Sequence, residues 1–188
     1  MHTIPQADPV HKVSIIARGM AGGYTLSLPE EDRTLMPRKK IMADMIGLLG
    51  GRAAEEIVFD DITSGASNDI ERVTRLARSM VTRLGMSEQL GPMVYGQKDE
   101  LIFLGREISE QRDYSEAVAE QIDKEVRRLV NDAYENAKAI LIEYRDKLDA
   151  VAGRLLEVET ITREEFEAIF PPPVPKTSGT PAPVPVAA

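Results

Sequence analysis

The apolar residues of this chain recur mostly with the spacing of an α-helix. From Val118 to Leu155 they recur at intervals of about 3.7 residues, which excludes a strand. A pattern of this length predicts two helices that pack on each other, with a break near residues 144–147. A second apolar stripe, from Ile70 to Leu84, predicts an amphipathic helix with one wide buried face.

A further helix is predicted from Pro37 to about Phe59. Proline is tolerated in the first turn of a helix, where its missing N–H has no partner to lose. The pair Gly50-Gly51 lies inside this helix, at a cost of about 1 kcal/mol per glycine relative to alanine. We therefore expect another backbone to approach the helix closely at this pair.

Polar residues and a glycine mark the ends of the other helices. Asn68, followed three residues later by Glu71, predicts an N-cap with its reciprocal partner, and Gly85 predicts the end of the same helix. Thr162 and Glu165 have the spacing of a capping box and predict a last short helix that ends near residue 170.

Strand signals are confined to the N-terminal part of the chain. Val13–Ala17 and Tyr24–Leu28 favour β-structure, and the glycine-rich residues 18–23 between them predict a hairpin or bent ribbon. The acidic residues 30–32 end this ribbon. The predicted fold class is therefore mainly α, with one small β ribbon near the N-terminus.

The last 18 residues differ in composition from the rest. Residues 171–188 contain seven of the twelve prolines, and proline removes backbone donors and fixes φ. We expect this segment to be a disordered tail. The predicted domain is accordingly residues 1–170.

Charge and composition narrow the classes of function. The chain carries 31 acidic and 23 basic side chains, a net charge of −8, and residues 106–170 alone hold 17 acidic against 10 basic ones. This balance argues against a nucleic-acid partner, which favours a basic surface. There is no cysteine, so thiolate metal sites and thiol nucleophiles are excluded. No apolar run approaches the ~18 residues of a transmembrane helix.

Asp69 is the carboxylate that the pattern singles out. It shares one helical stripe with Val73 and Met80, so it lies at the edge of the buried face, where an unpaired charge is costly. One interpretation is a favourable interaction with the positive end of the helix dipole, worth about 0.3–1 kcal/mol. The other is a bound cation, since a carboxylate is a competent ligand for zinc. The residue pattern alone favours the first.

A succession of motifs adds a resemblance to a known family. The segments are Ala7–Val13, Gly22–Thr25, Gly50–Glu56, Thr63–Ile70, Met80–Thr82, Gly85–Glu88, Leu90–Pro92 and Tyr95-Gly96. In this order they closely resemble the peptidase domain of the FtsH family of membrane-anchored, ATP-dependent zinc metalloproteases. The resemblance covers residues 7 to about 170.

The resemblance implies a metal site and a substrate strand. In the family, two histidines and a glutamate of an H-E-x-x-H helix bind zinc and activate water, and the third ligand is the aspartate that corresponds to Asp69. The family's edge strand, onto which an unfolded polypeptide adds as a further strand, corresponds to residues 13–28. The positions that correspond to it here are Val13, Ser14, Ile15, Ile16, Gly23, Tyr24 and Thr25.

The resemblance also implies partners and a location. The intact family protein is a hexamer at the cytoplasmic face of the cell membrane, which degrades unfolded and membrane proteins delivered by its ATPase module. ATP would act only through that module, which the 188 residues do not include. We expect this chain itself to be soluble and to have no direct contact with the membrane.

One departure from the family bears on activity. The 188 residues contain no H-E-x-x-H, and we expect the chain to start just after the place where that motif belongs. His2 and His11 are nine residues apart and do not replace a pair at i and i+4. One carboxylate binds zinc poorly, because affinity comes from several preorganised ligands. We therefore expect this chain alone to hold no catalytic zinc and to cleave no protein.

Glu55 and Glu56 are the other carboxylates to weigh. Either could hydrogen-bond a zinc ligand, and Glu55 is the candidate for such a supporting contact. The favoured alternative is a solvated helical pair with Arg52. Absence of the H-E-x-x-H helix should also expose apolar surface on the helices of residues 37–59 and 69–84.

A rival function comes from another class of protein. The acidic helices of residues 115–156 would pack on copies of themselves, and the chain would be a non-catalytic oligomerisation or scaffold module. The coding sequence upstream of Met1 distinguishes the two, since only a protease encodes H-E-x-x-H there.

Overall fold

The structure is a computed structural model that describes residues 1–17, 22–29, 35–96 and 114–170. The described residues form five α-helices and three short strands, so the chain is mainly helical, as predicted. They divide into two compact units, one formed by described residues between 32 and 148 and the other by described residues of 1–31 and from 149 onward. None of the described helices has the length and apolarity needed to cross a membrane.

The larger unit is built on three helices. These are α1 (Arg38–Phe59), α2 (Ser67–Thr82) and α3 (Glu116–Glu143), and each packs against the other two. Their apolar stripes meet in one core, and full burial of a large apolar side chain stabilises the fold by about 1.5–3 kcal/mol. The largest fully buried side chains of this core are Met45, Val73, Met80, Val81, Ile122 and Leu129.

The glycine pair does not break α1 or admit another backbone. The helix is continuous through Gly50 and Gly51, and a Cβ added at either would meet no described atom within 4 Å. The expected close approach is therefore wrong within the described ranges. The helix ends at Asp60, which takes a left-handed φ of 53°.

A turn of 3₁₀-helix leads into α2 and replaces the predicted cap. Residues Ser64–Ala66 form this turn, and the side chain of Thr63 caps it by accepting a hydrogen bond from Gly65 N at 3.1 Å. Asn68 lies inside the first turn of α2, so its prediction as N-cap is wrong, because the preceding turn already orders the chain. Gly85 does mark the helix end, with a left-handed φ of 58°.

The long helical pattern is broken at one residue. Tyr144 has φ −108° and ψ 34°, and α4 (Arg145–Val158) begins directly after it, which confirms the predicted break. That the two helices pack on each other stays a prediction. The stripe of α3 packs against α1 and α2, whereas Leu155 of α4 belongs to the core of the smaller unit.

The smaller unit contains a three-stranded antiparallel sheet. Strand β1 (Val10–Ser14) lies between β2 (Tyr24–Ser27) and β3 (Thr160–Thr162). The β1–β2 pair confirms the predicted ribbon, while residues 18–21 of its turn and residues 30–34 lie outside the described residues. Strand β3 was not predicted, because three residues are too short to show an alternating pattern.

The last helix closes the smaller unit. Helix α5 (Arg163–Ile169) begins with the predicted capping box, in which Thr162 and Glu165 bond to each other's backbone N–H groups. The core of this unit is formed by Val10, Leu155, Ile161 and Phe166. The proline-rich residues 171–188 lie outside the described residues, so the predicted tail remains a prediction.

Candidate metal centre

Asp69 lies in the first turn of α2, as the sequence predicts. Its residue is half-buried, and Val73, one turn further along the same face, is fully buried in the core. No hydrogen bond or ion pair joins the Asp69 carboxylate to another residue in the described ranges, and α2 has no side-chain cap. The N-terminal end of the helix dipole favours the negative charge. The carboxylate is therefore available as a ligand without breaking a bond.

Glu55 is held by the loop that leads into α2. Its Oε2 accepts a hydrogen bond from the Thr63 backbone N–H at 3.0 Å, and its Oε1 accepts one from the Thr63 hydroxyl at 2.7 Å. The backbone hydrogen bond and then the hydroxyl lower the pKa of Glu55. Glu55 is therefore charged at neutral pH, and it connects α1 to the residues immediately before Asp69.

Glu56 is held by a different helix. It accepts hydrogen bonds from the Tyr134 hydroxyl and from Lys138 Nζ, the latter at 2.7 Å. The bond from Lys138, followed by that from Tyr134, lowers the pKa of Glu56, and burial raises the pKa of Tyr134. Glu55 and Glu56 therefore have specific partners in addition to the nearby Arg52, whose charge also lowers the pKa of each.

The described residues supply one fitting zinc ligand and not a complete set. No group of three His, Cys, Asp or Glu side chains in the described ranges is placed to hold one metal ion. The two histidines belong to the smaller unit: the His2 ring contacts that of Phe166 at 5.7 Å between centroids, and His11 lies at an irregularity of β1. Asp69 fits as a ligand because its carboxylate is partnerless and partly shielded from solvent.

The predicted substrate-binding residues lie on and beside two strands, and of these strands only β2 is at an edge of the sheet in the described ranges. Val13 and Ser14 lie in β1 and are paired on both sides, and Ile15 N donates to Glu159 O at 3.0 Å. An edge-strand role is therefore wrong for β1. Tyr24 and Thr25 lie in β2, whose second side pairs with no strand in the described ranges.

Two further predicted strand positions flank these pairs. Gly23 precedes β2, and a Cβ there would lie 2.7 Å from Ser14 O, so this position requires glycine. Ile16 follows β1 and is exposed, and its N–H donates to Ser14 Oγ at 3.2 Å. A substrate role for any of these residues stays a prediction.

Exposed apolar side chains surround the loop between α1 and α2. Phe59 is 73% exposed, and Val58, Ile62 and Ile70 are also exposed. Both helices thus present apolar surface, as was expected for a chain without the H-E-x-x-H helix. These side chains lie along the chain between Glu55 and the first turn of α2.

The comparisons with known proteins decide the family. Residues 1–169 match the model of peptidase family M41. The chain belongs to peptidase family M41. It is 55% identical over 186 residues to the ATP-dependent zinc metalloprotease FtsH 1 of Thermomicrobium roseum and 54% identical over 186 residues to that of Sphaerobacter thermophilus.

The M41 relatives are much longer than this chain. The match to the Thermomicrobium protein covers 98% of this chain and 28% of the relative, and the match to FtsH of Thermotoga maritima, 53% identical, covers 89% and 28%. The chain thus spans about 28% of the length of these relatives. Their names describe ATP-dependent zinc metalloproteases, so Asp69 is a carboxylate from a zinc peptidase family.

Sequence reasoning missed the contact between Thr63 and Glu55. Thr63 accepts a hydrogen bond from Gly65 N and donates its hydroxyl proton to Glu55, eight residues earlier. The signal was present, because Thr63 opens the motif Thr63–Ile70 that carries Asp69. Only the fold shows that Glu55 is its partner.

Proposed function

We propose that this chain is the peptidase portion of an ATP-dependent zinc metalloendopeptidase and that Asp69 is one of its zinc ligands. The partnerless carboxylate of Asp69, in a chain of the M41 family, is the observation that carries the proposal. When bound, zinc polarises a peptide carbonyl and lowers the pKa of a bound water toward 7. Asp69 would contribute charge and one oxygen ligand, and Glu55, whose two oxygens accept hydrogen bonds from Thr63, would support the site rather than bind zinc.

The 188-residue polypeptide on its own is proposed to be inactive. It contains no H-E-x-x-H, so two histidine ligands and the general-base glutamate must come from outside these residues. Zinc affinity depends on several ligands held in place together. The isolated chain should therefore retain no stoichiometric zinc.

Unfolded and membrane proteins are the proposed substrates. β2 pairs with β1 on one side and with no second strand in the described ranges, so it is the candidate for the addition of an extended polypeptide, and Tyr24 and Thr25 lie on it. Addition of a strand relies on main-chain hydrogen bonds and accepts many side chains. This tolerance suits an enzyme that degrades diverse proteins.

The assembly and location follow from the family resemblance. We propose a hexamer at the cytoplasmic face of the cell membrane, with ATP bound by a module outside these 188 residues. The net charge of −8 makes a nucleic-acid partner unfavourable. Protein substrates and other copies of the chain are the proposed partners.

The upstream coding sequence and a metal assay test the proposal together. We expect the reading frame before Met1 to encode H-E-x-x-H and an ATPase module. We also expect the purified 188-residue chain to bind no stoichiometric zinc and to leave casein intact. Zinc at one equivalent, with casein cleavage abolished by Asp69→Ala, would overturn the proposed inactivity. A reading frame without H-E-x-x-H would overturn the protease assignment.

A non-catalytic oligomerisation module is the second candidate. Ile142 at the end of α3 and Leu156 on α4 are 62% and 80% exposed, which favours contacts beyond this chain. This candidate predicts oligomers of the isolated chain that Ile142→Lys and Leu156→Lys dissociate. A monomer by sedimentation would contradict it.

A further inference from the structure

Helix α2 and its C-cap residue carry a block of basic side chains in an acidic chain. Residues 72–83, the basic block, contain four arginines and no carboxylate, although the net charge of the chain is −8. Like charges three residues apart on a helix repel each other, and Arg72, Arg75 and Arg78 have this spacing. The helix therefore keeps these arginines at a cost to its own stability.

Most of this positive charge has no close partner in the described ranges. The side chains of Arg72 and Arg83 are exposed and form no hydrogen bond or ion pair with a described residue. Arg75 and Arg78 approach carboxylates no closer than 3.7 Å, in positions open to solvent. Exposed pairs of this kind contribute little to stability. The basic block is therefore available to a partner that carries carboxylates.

Exposed apolar side chains lie beside the end of α2. Leu84, Met93 and Val94 are 49%, 57% and 60% exposed. The segment that contains Met93 and Val94 is held against the helix, because Tyr95 N donates to Thr82 O at 2.8 Å. Apolar side chains that stay exposed next to charged ones favour a protein partner over a surface that is only solvated.

Helix α3 carries the complementary charge. Residues 116–123, the acidic block, contain three carboxylates and no basic side chain. The side chains of Glu120 and Asp123 in this block are 73% and 71% exposed. Their partners within the chain, Lys124 and Arg78, lie 4.0 and 3.7 Å away. The acidic block is therefore open to a second chain.

We propose that the basic block of one copy binds the acidic block of a second copy, with Leu84, Met93 and Val94 inside the contact. The inference deepens the proposed function, because it assigns the contact between copies of the proposed hexamer. The two blocks are different surfaces, so each member of a pair keeps one block free, and such contacts close into a ring or continue as a filament. An anionic membrane or a nucleic acid is a less favourable partner, because the net charge of −8 repels it.

Sedimentation velocity of the 188-residue chain tests this contact. We expect reversible oligomers that weaken at high ionic strength, because salt screens exposed charges. Arg83→Glu and Glu120→Lys should each weaken association about tenfold, since each places like charges opposite one another. Lys39→Glu and Glu135→Lys are the matched controls. They make the same changes of charge at exposed positions outside the two blocks, so association should stay as in the wild type.

Mixing the two variants tests whether the contact joins different surfaces. Arg83→Glu keeps an intact acidic block and Glu120→Lys keeps an intact basic block. An equimolar mixture should therefore associate more strongly than either variant alone. A contact between two identical surfaces would be weakened by only one of the two changes, and that result would overturn the proposal. If Arg83→Glu does not fold, Arg72→Glu replaces it.

Other occupants of the basic block give different results. Leu156→Lys should leave the association unchanged, and dissociation by Leu156→Lys with no effect of Arg83→Glu would overturn the proposal. A wild-type chain that stays monomeric would overturn it as well. Binding of that monomer to phosphatidylglycerol vesicles, lost in Arg83→Glu, would assign the block to a membrane instead. None of these readouts depends on zinc, so failure of this contact and failure of the peptidase assignment are distinguishable.

Discussion

The two ends of α2 are anchored in the same way but in different surroundings. At the C-terminal end, Ser87 donates to Glu125 of α3 at 2.8 Å, and these residues are only 4% and 2% exposed. At the N-terminal end, Thr63 donates to Glu55 of α1 at 2.7 Å in a solvent-exposed position. The buried contact is the one far from the candidate metal centre.

The buried contact at the C-terminal end should contribute more to the stability of the fold than the exposed contact near the candidate zinc ligand does. Glu125 also accepts hydrogen bonds from Arg128 Nε and a terminal nitrogen at 2.9 and 3.1 Å, and Ser87 accepts from Leu90 N at 3.1 Å. Hydrogen bonds to charged groups are stronger than those between neutral groups. Removing one partner of a buried charged pair lowers the free energy of unfolding, because the other charge is left buried without a partner. The N-terminal end keeps a weaker, exposed anchor and a carboxylate without a partner. Low local stability is common where ligands bind.

Glu125→Gln should give the largest loss of stability. It removes the charge that Arg128 and Ser87 share in a buried position, at an expected cost of about 3 kcal/mol in the free energy of unfolding. Urea unfolding followed by circular dichroism measures this cost. Glu120→Gln is the control, because its pair with Lys124 is exposed and should contribute less than about 0.5 kcal/mol. Equal effects of the two changes would contradict the comparison.

The buried contact should also be acid-sensitive. The hydrogen bond from Arg128 is the main cause that lowers the pKa of Glu125 below its usual 4.5. A lowered folded-state pKa gives stability that is complete above pH 4.5 and is lost as pH falls through the folded-state value. The difference in unfolding free energy between the wild type and Glu125→Gln should therefore shrink below pH 4.5. A difference that stays constant there would contradict the assignment.

Gly85→Ala should weaken the same end of α2. Its φ is 58°, and an added Cβ would lie 2.9 Å from the Pro92 Cα, so backbone strain and a clash combine to cost about 2 kcal/mol. Thermal unfolding of the variant measures the loss. Gly50→Ala is the matched control: its helical position is open, and alanine should stabilise the protein by about 1 kcal/mol. Destabilisation by Gly50→Ala would contradict the open surroundings found there.

Thr63→Val should lower the free energy of unfolding less than the changes at Glu125 and Gly85 do. It removes an exposed cap and an exposed hydrogen bond, which together contribute about 1 kcal/mol to the free energy of unfolding. Urea unfolding of Thr63→Val and Glu125→Gln under the same conditions compares how much each contact contributes to the free energy of unfolding. A loss as large as that of Glu125→Gln would show that the N-terminal anchor is not the weaker one.

Local patterns predicted most of the larger elements. The apolar stripe from Ile70 to Leu84 predicted α2, and the spacing of Thr162 and Glu165 predicted the start of α5. These features depend on residues within a few positions of one another, so the sequence shows them directly. The place of Asp69 in the first turn of α2, at the edge of the buried face, was also predicted in this way.

Features that depend on distant partners were not predictable in the same way. Several polar residues precede α2, and the choice of Thr63 rather than Asn68 as the cap depends on Glu55, eight residues earlier on α1. Strand β3 forms because β1 offers it a partner about 150 residues away in sequence, beyond the reach of a local pattern. The open surroundings of Gly50 follow from the packing of α1 as a whole.

The zinc content of the proposed longer protease, in which H-E-x-x-H would precede this chain, tests the central claim most directly. Asp69→Ala is compared with Glu71→Ala, which removes an exposed carboxylate from the same turn that pairs only weakly with Arg75, at 3.7 Å. The account predicts one zinc per chain in the wild type and in Glu71→Ala, and little zinc in Asp69→Ala. A full equivalent of zinc in Asp69→Ala would contradict it.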